Sequence, residues 1–299
     1  MKGYFNCKIE KIKNIKPKQL AILSVPTITH YKNKKDYCSS APKILRKESQ
    51  KFSKRIGSWD FDTNSVFLKR ISNVIDAGNF RLSKNSKKDR NNLTKSIKEL
   101  VQKKNKFLVI GGDDSVAIPV IAGLEPLSKL YIVQIDAHLD WINKSYGEKF
   151  GRSNVMRRAS EMRWVKGMTQ IGLRGMGTSK SKDFKDAKKW GSKIITDQKM
   201  MSMSAKEILK GIPKNSYVYL TLDLDVLNPK EFPAVETRSP GGPGVSEIVE
   251  IIIEIAKNKK FIGANIVEFA PERDFNNLSL NSSVRLIALI IQLLNRREL

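Results

Sequence analysis

The chain predicts a three-layer α/β/α sandwich built around a mostly parallel central sheet. Short apolar runs, continuous rather than alternating, recur along its length, and amphipathic segments of helix length separate them. A strand buried on both faces reads as a continuous apolar run, and crossover helices then cover both faces of the sheet. A third observation concerns the polar residues. Three of the apolar runs open into carboxylates at their C-terminal ends, where reactive residues collect in such sheets.

The strands expected in chain order are 20–25, 107–111, 130–136, 169–173, 193–196, 218–224 and 261–269. The helices expected between them are 90–103, 116–122, 154–162, 181–191, 204–210, 246–258 and 283–295. Two helices open with a serine N-cap and an acid in the first turn, as Ser204 does three residues before Glu207. There are no internal repeats and no Pro/Gly/Ser-rich linker. The 299 residues therefore read as one domain, 1–299, with a lysine-rich N-terminal extension of about 1–40.

Composition narrows the class further. Hydrophobic residues make up 40% of the chain, enough for a sizeable core. No apolar run reaches the roughly eighteen residues of a spanning helix, and the N-terminus lacks the apolar stretch of a secretory signal. Cys7 and Cys38 lie far apart and outside any CxxC pair, so free thiols in a reducing cytoplasm are expected. The net charge of +25 invites a polyanion reading. Lysine dominates, however, and is spread along the whole chain, densest at 32–35, 84–88, 103–106 and 257–260. No zinc finger, aromatic RNA-binding strand or basic zipper accompanies it. A solvated basic surface is expected, with only salt-sensitive non-specific binding of nucleic acid and no membrane partner.

The chemistry lies at three strand ends, FLVIGGDDS at 107–115, YIVQIDAHLD at 131–140 and YVYLTLDLD at 217–225. Residues i and i+2 of a strand face the same side. Asp136 and His138 are therefore projected together, with Asp140 two further on, and Asp223 and Asp225 repeat the arrangement. A single Asp-x-Asp is common on solvated loops, but three acidic strand ends together are harder to dismiss. Carboxylates gathered there repel one another and suffer desolvation, and a divalent cation removes both problems. Oxygen donors with one imidazole suit manganese or a related first-row ion. Two ions about 3.5–4 Å apart can share bridging carboxylates.

GGDDS, DAHLD, LDLDVLNP and VEFAPERD, in that order, resemble the ordered motif set of the ureohydrolase family of arginases, agmatinases and related guanidino-acid hydrolases. The resemblance runs from about Ser40 to the C-terminal helix. PAVETRSPGG at 233–242 also resembles the loop after the third motif in agmatinase-like members. It implies an arginase-like fold and two divalent ions, manganese first and nickel as the other candidate. The implied ligands are Asp114, Asp136, His138, Asp140, Asp223 and Asp225, with Asp136 and Asp223 among the bridging carboxylates. Asp140 and Glu268 are the implied catalytic residues. Glu268 would hold the planar guanidinium of the substrate, and a hydroxide between the ions would attack its carbon to give urea and an amine. Agmatine or a guanidino acid is the implied substrate, and a homo-oligomer, trimer or hexamer, the implied assembly.

The chain departs from the family pattern twice. Asp114 stands where the family usually has histidine, which sets five aspartates against the four positive charges of two divalent ions and favours hard cations over zinc. After DAHLD, Arg152 stands where many members have a second histidine, leaving only His30 elsewhere in the chain. Arg152, Ser153 and Asn154 are expected to contact substrate, and Arg157 and Arg158 to form a solvated helix start. Arg152, Lys144 and the basic balance tilt the expected tail toward a carboxylate. Trp141 reads as packing, and the glycines at 172–177 as a tight turn near the site, with Arg174 supporting it. The missing histidines motivate an alternative, a non-catalytic homologue acting as a structural or regulatory subunit. Retention of the carboxylates argues against it, because unpaired buried charges destabilise a fold.

Overall fold

The computed structural model describes residues 2–29, 31, 35–83, 85–176, 179–214 and 216–296. Among them, in chain order, run β1 (Lys8–Ile9), β2 (Leu20–Val25), α1 (Ala41–Lys51), β3 (Trp59–Asp60), β4 (Ser65–Val66), β5 (Val74–Asn79), α2 (Ser86–Gln102), β6 (Lys106–Gly111), α3 (Ala117–Gly123) and β7 (Leu130–Ile135). There follow α4 (Val155–Ser160), β8 (Val165–Leu173), α5 (Ser181–Trp190), β9 (Lys193–Thr196), α6 (Asp197–Met200), α7 (Ala205–Ile208), β10 (Tyr217–Asp223), α8 (Val245–Asn258), β11 (Lys260–Val267) and α9 (Leu278–Leu294). β3 and β4 form a small antiparallel hairpin. The other nine strands form one sheet in the order β1-β5-β2-β6-β11-β10-β7-β8-β9. Every neighbouring pair in it is parallel.

Alternation of side chains along each strand splits the core in two. Leu108 and Ile110 of β6 join Leu45 of α1, Ile252 of α8 and Ile287 of α9 on one face. Phe107 and Val109 join Ile97 of α2, Val120 of α3 and Met156 of α4 on the other. The strands are apolar on both sides because helices cover both sides, which is the three-layer arrangement expected. Among the described residues, no helix is long and apolar enough to cross a membrane.

All seven expected strands are present, and the structure adds β1 and β5 at one edge. Their sequences hid them. β1 has two residues, and β5, VIDAGN, breaks its apolar run with an aspartate and a glycine. The stretch expected as an N-terminal extension supplies β1 and β2, so residues 8–9 and 20–25 are part of the sheet. Ser204 caps α7 as expected: its Oγ accepts from the Glu207 amide at 3.3 Å, and Glu207 Oε2 accepts from the Ser204 amide at 2.8 Å.

A buried ion pair fastens the added edge. Arg46 on α1 donates from Nε to Asp76 Oδ2 at 2.7 Å and from Nη2 to Asp76 Oδ1 at 3.0 Å. Its Nη2 also reaches Ser24 Oγ on β2 at 2.9 Å. The pair joins α1, β2 and β5, and its side chains are 5% and 0% exposed. Asp76→Ala would strand a buried guanidinium, so we expect it to lower unfolding free energy by about 3–5 kcal/mol in urea titrations. A change inside experimental error would show that the pair does not hold this edge.

Candidate functional site

Strand order decides which residues meet. β6, β11, β10 and β7 are consecutive neighbours in the sheet, and because they run parallel their carboxyl ends emerge at the same edge. Asp113 and Asp114 follow β6, Glu268 follows β11, Asp223 ends β10 with Asp225 in the turn after it, and Asp136, His138 and Asp140 follow β7. The turn after β6 needs its glycine, since a Cβ on Gly112 would lie 2.5 Å from the Thr27 amide nitrogen. Two of the site's acidic residues adopt left-handed backbone, Asp140 at φ 50° and Glu268 at φ 65°. Each costs on the order of 1 kcal/mol or more and persists only where surroundings over-determine it. For Glu268 those surroundings are visible: its amide donates to Gly112 O at 2.8 Å, and its Oε1 accepts from the Asp114 amide at 3.0 Å.

Among the described residues, two sets of three donors stand close enough to hold cations. Asp136, His138 and Asp225 form one, and Asp114, Asp136 and Asp223 the other, with the donor atoms in each set within 4.8 Å of one another. Asp136 belongs to both. His138 Nδ1 lies 2.9 Å from Asp225 Oδ2 and 3.5 Å from Asp136 Oδ1. Asp140 stands beside them, because Gln134 Nε2 donates both to Asp136 Oδ2 at 2.7 Å and to Asp140 Oδ2 at 3.0 Å. Asp114, His138, Asp140, Asp223, Asp225 and Glu268 all line one cleft of about 270 Å³.

The expected substrate contacts fare differently. Ser153 lines the cleft. Asn154 does not, and is fully buried: its Oδ1 accepts from the Gly151 amide at 2.9 Å and its Nδ2 donates to Ile142 O at 2.6 Å. Its amide is taken up by its own loop. Arg152 lines the cleft, but its charge is not free for a substrate carboxylate. Its guanidinium forms a two-point pair with Glu236, Nη2 to Oε1 at 2.7 Å and Nη1 to Oε2. Arg158 is not part of a solvated helix start. It is 8% exposed and donates to Asn143 Oδ1 and Glu161 Oε1. Trp141 packs edge-on against Trp190. Arg174 reaches the carbonyls of Asp225 and Ser239, each at 3.1 Å, and so ties the loop after β10 to the 233–242 loop. His30, Lys32, Lys34, Lys84 and Gly177, singled out in the sequence, lie outside the described residues.

Sequence reasoning missed Gln134, Glu236 and Cys38. Gln134 had a signal, a polar residue in an apolar strand two places before Asp136 and therefore on its face. Cys38 and Glu236 had none, since their contacts, Glu268 Oε2 at 3.5 Å and Arg152, are far away in the chain.

Burial makes the cluster electrostatically costly. It pushes Asp114, Asp140 and Asp223 well above the usual carboxylate range, and neighbouring Asp136 raises each further. Glu268 rises to about 8 and Asp113 to about 7, in both cases through burial, against the opposing pull of Arg152. Burial pulls His138 down, but Asp225 and Asp136 outweigh it and hold the imidazole up at about 11. Asp114 Oδ2 is buried without a hydrogen-bond partner. Protons and one imidazolium relieve the repulsion here, and a divalent cation does so more completely. The donor set therefore fits hard divalent ions.

The sign of the pH dependence follows. A carboxylate whose folded pKa is raised stabilises the fold below its unfolded value near about 4, and that contribution is lost as pH rises through the folded value. His138, also raised, acts in the same direction. Chelator-treated protein should therefore lose thermal stability between pH 5 and pH 8, through the values near 7 and 8 of Asp113 and Glu268. Added manganese should raise the midpoint more at pH 8 than at pH 5. A melting midpoint flat across this window in chelator would refute the electrostatic account.

Comparison with known proteins identifies the family and the fold. The Arginase family model matches residues 18–294. An agmatinase of Bacillus subtilis is 28% identical over 218 residues, 72% of this chain and 73% of that protein. Among solved structures, proclavaminate amidino hydrolase from Streptomyces clavuligerus superposes with a TM-score of 0.85 at 22% identity, covering 100% of this chain and 98% of that one. Formimidoylglutamase from Bacillus subtilis does so with a TM-score of 0.86 at 20% identity, covering 100% and 93%. The structural likenesses speak for the fold. The family match spans nearly the whole chain and includes every strand end described above, so the chain belongs to the arginase family.

Proposed function

We propose that the chain is a metal-dependent hydrolase that cleaves a guanidino compound to urea and an amine. One observation carries the reading: two donor triads share Asp136, and their other four members line one cleft with Glu268 at the carboxyl edge of the sheet. Membership of the arginase family and the likeness to an agmatinase support it.

In this reading Asp136, His138 and Asp225 would hold one ion, and Asp114, Asp136 and Asp223 a second, with Asp140 beside them. Manganese is the favoured ion and nickel the second candidate, because the donors are mostly oxygen. Such a pair of ions, when bound, lowers the pKa of water enough to supply a nucleophile near neutral pH. Glu268 accepts from the N–H groups of the guanidinium, for which a carboxylate is the two-point partner. The backbone of Asp114 and the left-handed turn fix its direction. Asp140 takes the proton from water and passes it to the leaving amine. Gln134 holds Asp136 and Asp140 in place for this. No histidine is needed at position 152, since a carboxylate serves as the proton carrier. Ser153, on the cleft wall, contacts the substrate. The assembly in this reading is a trimer or hexamer, which light scattering on the purified protein tests.

The alternative, a non-catalytic homologue, rests on aspartate at 114 and arginine at 152. A single assay separates the two. Purified protein loaded with manganese, and separately with nickel, is given a panel of guanidino compounds and urea is measured. We expect urea from at least one compound. Asp223→Ala should reduce turnover by about 100-fold or more, as loss of support at a metal site does. Glu268→Gln, which keeps shape but removes charge from a charge-assisted bond, should raise KM by about 10–100-fold. No urea from any compound, with metal shown to be bound, would favour the non-catalytic reading.

A further inference from the structure

Arg152 stands between two cavities. It lines the cleft, and it also lines a smaller cavity of about 50 Å³ whose wall includes Cys38, Asp113 and Glu236. Glu236 grips its guanidinium at two points from that second side. Tyr31 lies under it, with the guanidinium carbon 5.6 Å from the ring centroid, and the Tyr31 hydroxyl accepts from the Arg152 amide at 2.6 Å. Arg273 Nη1 donates to Glu236 O at 2.8 Å and anchors the other partner's backbone. The two side chains are only 22% and 18% exposed. The pair is thus a fixed part of the wall rather than a loose surface contact.

Above the acidic floor, the described residues lining the cleft are Ile142, Ser145, Tyr146, Ser153 and Thr237, together with Arg152. Arg152 is the one full charge on that wall, and Glu236 balances it. From this we propose that the Arg152–Glu236 pair is a charge-balanced wall that selects guanidino compounds with uncharged tails. The inference rests on the hydrolase reading above. A tail carboxylate would have to take Arg152 from Glu236 and leave a half-buried carboxylate without its partner. A tail ammonium would meet the guanidinium, with the compensating carboxylate behind it and out of reach. Discrimination of this kind works by penalty against the wrong charge, not by an extra contact to the right one.

Butylguanidine, agmatine and guanidinobutyrate share a four-carbon tail and differ at its end: uncharged, cationic and anionic. On manganese-loaded enzyme we expect kcat/KM for butylguanidine to exceed both others by on the order of tenfold. Glu236→Gln leaves Arg152 uncompensated and should shift the guanidinobutyrate-to-agmatine ratio upward by about tenfold. Arg152→Gln opens the way to Glu236 and should shift it downward by a similar factor. The double variant Arg152→Glu with Glu236→Arg restores a balanced pair and should return the ratio toward the parent's. Faster turnover of either charged compound than of butylguanidine, or ratios that fail to move in opposite directions, would overturn the proposal. Binding of the same three compounds to each metal-loaded protein is measured by calorimetry. If no urea forms, the hydrolase reading fails, yet the order of binding and its change between variants still decide for or against the wall.

Discussion

Mutual repulsion among carboxylates held out of water is the constraint on which the rest of this structure depends. Asp114, Asp136, Asp223, Asp225 and Glu268 are each no more than 5% exposed, and Asp140 is 9% exposed. Left alone, such a cluster drives its members apart or neutralises them. The fold resists the first outcome with its stiffest part. Four adjacent parallel strands are clamped between two helical layers, and their ends cannot separate without breaking the sheet. Burial and neighbouring carboxylates push toward the second, raising Asp114, Asp140 and Asp223, while Asp225 and Asp136 raise His138 against its burial. A scaffold that maintains repulsion in this way is one that concentrates affinity for cations.

The support for this arrangement is itself polar and buried. Gln134 holds Asp136 and Asp140, Gln170 Nε2 donates to Gln134 Oε1 at 2.6 Å, and Ser192 Oγ donates to Gln170 Oε1 at 2.7 Å. The chain of amides crosses from β7 to β8 and on to the residue before β9. Such a network is favourable only when every member has its partner. It fixes which oxygens of Asp136 and Asp140 accept from protein, and so which remain for a cation. Arg174 does the equivalent for loops, joining carbonyls from two segments that follow β10. Direction at the site therefore comes from groups that never enter the cleft.

The two departures from the family pattern take different forms in three dimensions. Asp114 stands with Asp136 and Asp223 in one of the two donor triads. It adds negative charge to the cluster, and one of its oxygens is left without a hydrogen-bond partner. Arg152 brings a positive charge to the cleft wall, where Glu236 balances it. Its field still reaches Glu268 and Asp113, holding both lower than burial alone would. The basic residue thus moderates the acidic floor while its own charge is largely cancelled.

Periodicity and local chemistry determined much of this protein. The seven main strands and the parallel sheet with two helical layers follow from apolar runs, whereas Asp136 and His138 meet in the turn after β7, where the His138 amide donates to Asp136 Oδ1 at 2.6 Å. Those are local properties, so they can be read from a stretch of a few residues. The strands β1 and β5 could not, because a two-residue strand and a glycine-containing one carry too little pattern to stand out. The order of strands in the sheet decided the rest. It brought Glu268 against the amide of Asp114, 154 residues away in the chain, and set Glu236 behind Arg152 at a separation of 84. Whether a charge is free or compensated depends on what lies across from it in space. For that reason the carboxylates of the site were legible in the sequence, while the balance of charge on its wall belonged to the tertiary structure alone.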